Sequence, residues 1–557
     1  YTTLYCTTLH YTTLHCNYLF PANNNNFDKS IVSTVACIAE MSGHSAETHE
    51  QFYSSTINKE TFFDKYHQSL GEDITIDTTL IDPLDLASQS DVLRCLKVLL
   101  GMNANFLSEL QRDLLMDSCN NQSKHTICTI GCGGGKSLSW IVPAVRYSLN
   151  GMRPKLSIVV IPYGFLLDHH VSSTFSLIGQ CSNIVVKKLK GTDIDDNIIP
   201  DVLRDKGSLP GLLFLSLEAI GLLVQYHFQH LELLQSEGLL SKIYIDECHT
   251  LLSELNFRHH YHQIEKLAAL NVPMVVMSGS IHRGLIKNFL NFMFGSMDIS
   301  SYNVFLDKDL FGSKLLRIEH VAAVDYIEKS CVRVVEYLKE HSDSNVHVIV
   351  STVNEGREVY AKLRLWVGFS CAFIYRGSDG QDVIAKKWKE NEIRVLISTT
   401  LGLVGNESSK TQLVCIVGLL YNIPSIVQSI GRIRPMRRNN QSLCVIYTGV
   451  DNRKRLEMAK KDSKDAHTQL VKCKVLPSDD NKIDAFYFRS MSMTAVNNWL
   501  FSDPGCRLAR LGWRLGFEIK EECKICDRCA NTHVRISSSL KKKQMNKLLQ
   551  YKMNNLS

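Results

Sequence analysis

Residues 129–140 read TIGCGGGKSLSW. Gly133, Gly134 and Gly135 carry no side chains, so their backbone N–H groups are open to an approaching anion. Lys136 adds a cation on a long stem and Ser137 a hydroxyl. A glycine turn between a strand and a helix presents N–H groups to phosphate, with the helix dipole behind them. Lys136 would then reach the outer phosphates and Ser137 a Mg²⁺ ion. The pattern G-x-x-x-x-G-K-[ST] asks for glycine where Ile130 stands. Taken alone, the loop is also compatible with an ordinary glycine-rich turn.

A second set lies downstream, in KIYIDECH, where an apolar run ends in Asp246 and Glu247. Carboxylates at the C-terminal end of a strand stand where α/β sheets bind their ligands. Asp246 is expected to hold Mg²⁺ and Glu247 to orient or deprotonate an attacking water. Solvated acids are common at strand ends, but their position downstream of Lys136 argues for one shared site. A third set is Cys506, Cys523, Cys526 and Cys529, spaced C-x16-C-x2-C-x2-C. Four thiolates at this spacing suit tetrahedral Zn²⁺ in a closed, structural site. Unpaired structural cysteines or a redox pair are the competing readings.

The elements that must position these groups are legible as apolar runs of strand length. HTICTI, LSIVVIP, GLLFLS, SKIYIDE and PMVVMSGS form one series; HVIVST, CAFIY, RVLIST, LVCIVG and SLCVIYTG form another. Continuous apolar strands separated by helical stretches indicate parallel sheets covered on both faces. The expected fold class is therefore α/β: two tandem P-loop domains, followed by a helical C-terminal module carrying the cysteines. Residues 1–30, with a repeated TTL triplet, are expected to be low-complexity and disordered, and 31–100 mostly helical. The first α/β domain is expected over 101–310, the second over 311–450, the helical module over 451–535 and a basic tail over 536–557.

Bulk properties exclude some classes. At 557 residues, 45% hydrophobic and 21% charged, the chain has the composition of a globular protein. The longest apolar run, within Gly211–Gln225, is interrupted by Glu218, too short and polar to span a bilayer. No secretory signal opens the chain, so an intracellular protein is expected, nuclear if the source is eukaryotic. The net charge of +6 is matched by Arg535, Lys541, Lys542, Lys543, Lys547 and Lys552 near the end, so global charge argues for no partner. Eighteen scattered cysteines are not a small disulfide framework.

Taken in order, these motifs resemble those of superfamily 2 helicases, and within them the RecQ-like group. That group's loop also lacks the first glycine and reads T-G-G-G-K-S, with Cys132 here in place of the threonine. FLSELQ resembles the motif whose last residue, here Gln111, reads adenine. VVIPYGFLLDH and LLFLSLEAI resemble segments that touch the nucleic-acid backbone. SGS (278–280) resembles the S/T-A-T motif, with Gly279 in place of alanine. YRGSDG and VLISTTLGLVGN resemble motifs of the second domain. QSIGRIRP resembles Q-x-x-G-R-x-x-R, which places Gln428 and Arg432 opposite the phosphates. Pro435 stands where the family has its second arginine, with Arg434, Arg437 and Arg438 close by. TLLSELNFRHHY is similar to the group's aromatic-rich coupling loop, keeping Phe257, Arg258 and Tyr261 but no tryptophan. CRLARL and CKICDRC closely resemble its zinc module.

The resemblance implies ATP and Mg²⁺ as cofactors, structural Zn²⁺ and single-stranded or junction-containing DNA as partner. It implies 3′-to-5′ movement driven by ATP hydrolysis. The alternative is a helicase-derived nucleic-acid-binding protein with impaired or lost unwinding. The altered arginine motif, the short aromatic loop and the lack of room for a winged helix after Cys529 motivate it.

Overall fold

The computed structural model describes residues 87–531, apart from 121–123, 132, 153, 180–183, 195–200, 256–257, 259, 296–301, 308–309, 312–315, 368–369, 376, 400–407, 435–441, 479, 518–522 and 524. Expectations for residues 1–86, Cys132, Phe257, most of VLISTTLGLVGN, Pro435, Arg437, Arg438 and the basic tail lie outside the described residues.

Two helices precede the first sheet. α1 (Gln89–Leu100) opens with a capping box: the Ser88 hydroxyl accepts from Asp91 N–H and the Asp91 carboxylate from Ser88 N–H. Such reciprocal capping satisfies two otherwise unpaired donors. α2 (Glu109–Cys119) is capped by Ser108, whose hydroxyl accepts from Gln111 N–H.

The first sheet has seven strands: β1 (His125–Thr129), β2 (Leu156–Ile161), β3 (Val186–Leu189), β4 (Leu212–Ser216), β5 (Leu240–Ile245), β6 (Met274–Ser278) and β7 (Tyr302–Leu306). Their order is β3-β4-β2-β5-β6-β1-β7, and every pairing is parallel. β2, β4 and β6 are buried at every residue, which is why they read as unbroken apolar runs. β3, at the edge, exposes Lys187 and Lys188, a charge pattern that blunts an open edge against further pairing. The order sets β1 and β5 on either side of β6, so the loops leaving these three strands share one end of the sheet.

α3 (Leu138–Leu149) follows β1 and carries Trp140, which is fully buried. The indole packs edge-on against Phe214 of β4 and Tyr244 of β5, at 6.4 and 6.1 Å. Burying such a ring contributes roughly 4–6 kcal/mol. It thereby anchors the start of α3, and the glycine loop before it, on the sheet. The helix begins at Leu138, two residues past Lys136. Gly135 is left-handed at φ 82°, and bonds from Leu138 N to Gly135 O (3.1 Å) and Ser139 N to Lys136 O (3.0 Å) close a tight turn first. α4 (Gly164–Ile178) follows β2, α5 (Thr250–Glu254) follows β5, and α6 (Ile286–Phe294) follows β6.

The second sheet has six strands: β8 (Leu316–Ala322), β9 (Asn345–Val350), β10 (Cys371–Ile374), β11 (Val395–Thr399), β12 (Thr411–Val417) and β13 (Ser442–Thr448). Their order is β10-β11-β9-β12-β13-β8, again parallel throughout. α7 (Ile423–Ile430) leaves the end of β12, capped by the Asn422 side chain on Ser425 N–H and opened by Pro424 in its first turn.

A helical module follows: α8 (Arg453–Lys472), α9 (Asn481–Met491), α10 (Met493–Phe501), α11 (Arg507–Arg514) and α12 (Asp527–Asn531). It touches both sheet domains. Arg283 N donates to Leu515 O at 3.0 Å in the first, and His320 N to Asp527 Oδ2 at 3.1 Å in the second. No described helix is long and apolar enough to cross a membrane.

Candidate active site

The glycine loop leaves β1 as the sequence pattern requires. Gly133 and Gly135 are left-handed, at φ 80° and 82°, which L side chains rarely adopt. A side chain on Gly135 would also strike Gln111, whose Nε2 lies 2.1 Å from the position of an added Cβ. Gln111 is thus pressed against the loop. Its Oε1 accepts from Leu107 N–H at 2.7 Å, while Nε2 is buried without a partner among the described residues. An orphaned amide donor beside a phosphate-type loop fits a polar ligand at this spot. The Ser137 hydroxyl makes no capping bond. The glycines, Lys136, Ser137 and Gln111 therefore fit a nucleoside triphosphate.

The carboxylates stand one strand beyond β6. Cys248 N donates to Met277 O at 2.9 Å and Asp246 N to Val160 O at 3.0 Å, tying the segment to both neighbouring strands. Glu247 is held at φ 49°, a costly conformation for a residue with a Cβ. Its carbonyl oxygen accepts from Thr250 N–H (3.0 Å) and from the Thr250 hydroxyl (2.7 Å), and its own N–H donates to Asp246 Oδ1 (2.9 Å). These bonds hold the strained turn. Lys136 Nζ lies 3.4 Å from Glu247 Oε1, so the loop and the acids form one cluster.

Burial pushes the Asp246 carboxyl up, against the pull of Lys136. Glu247 is also buried, which alone would raise it. Lys136, the His249 hydrogen bond and the Arg432 guanidinium hold it well below the ordinary carboxylate range. Two adjacent acids are thus driven apart, Glu247 staying ionised and Asp246 poised to gain from a cation.

His249 joins the parts. Its Nδ1 lies 3.0 Å from Ser278 Oγ and 3.2 Å from Glu247 Oε2. Its Nε2 lies 3.1 Å from Gln428 Nε2 of α7. An amide nitrogen only donates, so His249 Nε2 accepts and its proton sits on Nδ1. Gln428 therefore reaches the first domain directly. Arg432, just past α7, is buried and its charge acts on Glu247. Arg434 turns back on its own chain, donating to Gly431 O at 2.6 Å and Ile433 O at 3.2 Å.

Sequence reasoning singled out the acids but gave His249 no role, although it is the last residue of the DECH run. It also passed over His170 of α4, whose Nε2 lies 3.5 Å from Asp246 Oδ2. The HH pair in FLLDHH carries no spacing signal that points to a carboxylate so far along the chain. The coupling-loop expectation needs correction. Tyr261 is 4% exposed and its hydroxyl bonds Thr250, so it offers no face for a base. Arg258 is drawn inward: Nε meets Glu254 Oε2 at 2.8 Å, Nη1 meets the Pro162 carbonyl, and the guanidinium lies 4.9 Å from the Tyr163 ring centre.

The four cysteines converge. The sulfurs of Cys506, Cys523, Cys526 and Cys529 all lie within 4.8 Å of one another. Tetrahedral zinc–sulfur bonds of about 2.3 Å imply sulfur separations of about 3.8 Å, and Cys523 and Cys529 stand 4.0 Å apart. Backbone N–H groups of Cys523, Cys526 and Cys529 donate to the sulfurs of Cys506, Cys523 and Cys526 at 3.3–3.4 Å. Such bonds stabilise thiolate charge, and the set fits a closed zinc site.

A family model described as DEAD/DEAH box helicase matches residues 108–287, and one described as helicase conserved C-terminal domain matches 329–435. Together they span just over half of the chain. A search of curated proteins finds no significant match. Among solved structures, the DEAD-box helicase Mss116 bound to ssRNA and UDP-BeF matches 85% of this chain and 97% of its own, at 15% identity and a TM-score of 0.51. The DUF1998 helicase MrfA bound to DNA matches 70% of this chain and 54% of its own, at 14% identity and a TM-score of 0.52. The helicase Lhr of Mycobacterium smegmatis, bound to ssDNA and AMP-PNP, matches 65% and 50%, at 14% identity and a TM-score of 0.46. The chain thus spans about half the length of the last two. At these identities the likeness to solved structures is one of fold, two tandem RecA-like domains.

Proposed function

We propose that this chain, which carries the paired motor domains of superfamily 2 helicases, is an ATP-driven translocase on nucleic acid, of the RecQ-like kind and acting on DNA. The contact between Gln428 and His249 carries the reading. It links the second domain to the acids of the first, so that movement of one domain is felt at the other's reactive carboxylates. ATP would sit against Gly133, Gly134, Gly135 and Lys136, with its adenine end toward Gln111. Bound Mg²⁺ would supply charge neutralisation at the phosphates, held by Ser137 and Asp246. Lys136 would shift its charge from Glu247 to phosphate. Glu247, freed and ionised, would take the proton of the attacking water. Arg432 would stabilise the charge that develops on the outer phosphate. Closure and opening of the two domains would then advance the protein along a strand, in the 3′-to-5′ sense by resemblance.

The cysteine spacing and its convergence support a structural zinc module of the RecQ type. The decisive experiment compares ATP hydrolysis by wild type and Lys136→Ala with no nucleic acid, single-stranded DNA and single-stranded RNA. A rate that DNA raises, RNA raises less and the substitution abolishes supports the reading. Hydrolysis raised equally by both strands would move the substrate class to nucleic acid at large. A rate indifferent to all three would leave a helicase-derived binding protein.

A further inference from the structure

We infer that a groove between α6 and the helical module is a second contact site for a single nucleic-acid strand, gripping its phosphates apart from the ATP site. The inference rests on the nucleic-acid reading above and adds a site to it. The groove encloses about 770 Å³ and is lined by residues including Lys287, Asn291, Lys474, Lys482 and Phe486.

Its geometry is fixed from below. Phe486 stacks on His282 at 4.8 Å between ring centres and lies flat on Gly284, where an added Cβ would meet the ring at 2.3 Å. Val475 and Leu476 are buried beneath the turn that leaves α8. Between them and the helix, Lys474 is held at φ 58°, with its N–H donating to Val471 O at 2.9 Å. Lys472 and Lys474 on this turn are exposed.

The charge is one-sided. Lys482, Phe486 and Arg489 recur at i, i+4 and i+7 on α9, one face of the helix. Lys482 Nζ lies 6.0 Å and the Arg489 guanidinium 5.4 Å from the Phe486 ring centre. Arg489 also covers Trp513 of α11 at 4.2 Å, with Arg510 6.0 Å from the same ring. Aromatic shelves hold cations in place without neutralising them. One acid, Asp480, shares the groove lining with these cations. Asp480 caps α9 through Lys482 N and Ile483 N, and Asp484 bonds His467 at 2.7 Å. Among the described residues, Lys287, Lys472, Lys474, Lys482 and Arg489 make no ion pair with a carboxylate. Cations thus outnumber the single lining acid, and with the Asn291 amide beside them they complement a phosphodiester chain.

The test measures binding of a fluorescent single-stranded oligonucleotide against salt, for wild type and for Lys287→Ala/Lys474→Ala/Lys482→Ala. Each lost phosphate contact should flatten the log–log salt slope by about 0.7, so the triple variant should lose about 2. ATP hydrolysis without nucleic acid should be unchanged. A control variant, Lys386→Ala/Lys387→Ala/Lys389→Ala on the second domain, should keep the wild-type slope. If wild type binds strand and nucleotide but the groove variant keeps its slope, the groove is overturned and the motor stands. An equal loss in the control variant would also overturn it. If wild type binds nucleotide but no strand, the groove falls together with the nucleic-acid reading. An unchanged slope joined to lost binding of a poly-glutamate probe would assign the groove to an acidic protein segment instead.

Discussion

The Gln428 side chain of the second domain donates to His249 of the first at 3.1 Å, while the opposite face of the same imidazole meets Ser278 and Glu247. One ring therefore touches the strand end of β6, the Glu247 carboxylate and the second domain. Replacing it tests whether the link is functional. His249→Ala should leave nucleotide affinity near wild type and lower nucleic-acid-stimulated hydrolysis by about tenfold, the scale of a hydrogen bond to a charged group. Nucleotide affinity by calorimetry and stimulated turnover, measured side by side, separate the two effects. Equal losses in both would mean that the ring only supports the fold.

Asp246 predicts a trade between stability and activity. Its carboxyl is raised in the folded state, so folding favours the protonated form, and that contribution is lost as pH rises through the folded value. At neutral pH the buried charge is a cost in the absence of a cation. Asp246→Asn should therefore raise the melting temperature by a few degrees at pH 7 without nucleotide, and abolish Mg²⁺-dependent hydrolysis. The melting gain should shrink as pH falls below the folded value. A variant melting lower than wild type at pH 7 would contradict this account.

The sign is opposite for Glu247. Its depressed carboxyl contributes stability that is present above the unfolded value and lost only as pH falls through the folded one. Lys136→Ala removes the largest attraction holding it down. The variant should melt lower at neutral pH, and the difference from wild type should narrow under strongly acid conditions. Thermal melts across pH without nucleotide would read this directly.

Metal content gives a further check. Purified chain should carry one zinc per molecule by atomic absorption. Cys526→Ser should lower that content and the melting temperature, because structural zinc contributes folding energy directly. Full zinc occupancy in the variant would show that the cluster is not the site.

Gly284 offers a packing test remote from the chemistry. Gly284→Ala would push a methyl group into Phe486, an overpacking that costs about 1–3 kcal/mol. Urea unfolding should show the loss. The paired change Gly284→Ala/Phe486→Leu should recover part of it by making room.

The strands buried on both faces were plain in the sequence, because β2, β4, β9, β12 and β13 are mostly apolar. β3 and β8 were not, since edge strands with lysine, arginine and glutamate lack that pattern, and β7, a short edge strand, carries Asn303 within its apolar residues. The phosphate-type loop and the two acids were legible because spacing and residue type point to the same chemistry. His170 and His249 were hidden for a different reason. Their partners, Asp246 and Gln428, lie 76 and 179 residues away along the chain, and only the sheet order brings them together. Tyr261 shows the converse: an aromatic residue suited to stacking in a motif was claimed by the core.

The double attachment of the helical module sets a limit on how the two halves can swing. Leu515 is fastened to Arg283 on one side, and Asp527, set between two of the clustered cysteines, to His320 on the other. On the proposed translocase reading, a strap joined at both ends would cap the length of each stroke. Asp527 is itself held by Arg507 at 2.5 Å, so the charge pair inside the module, and not the backbone alone, sets how firmly that end of the strap is tied.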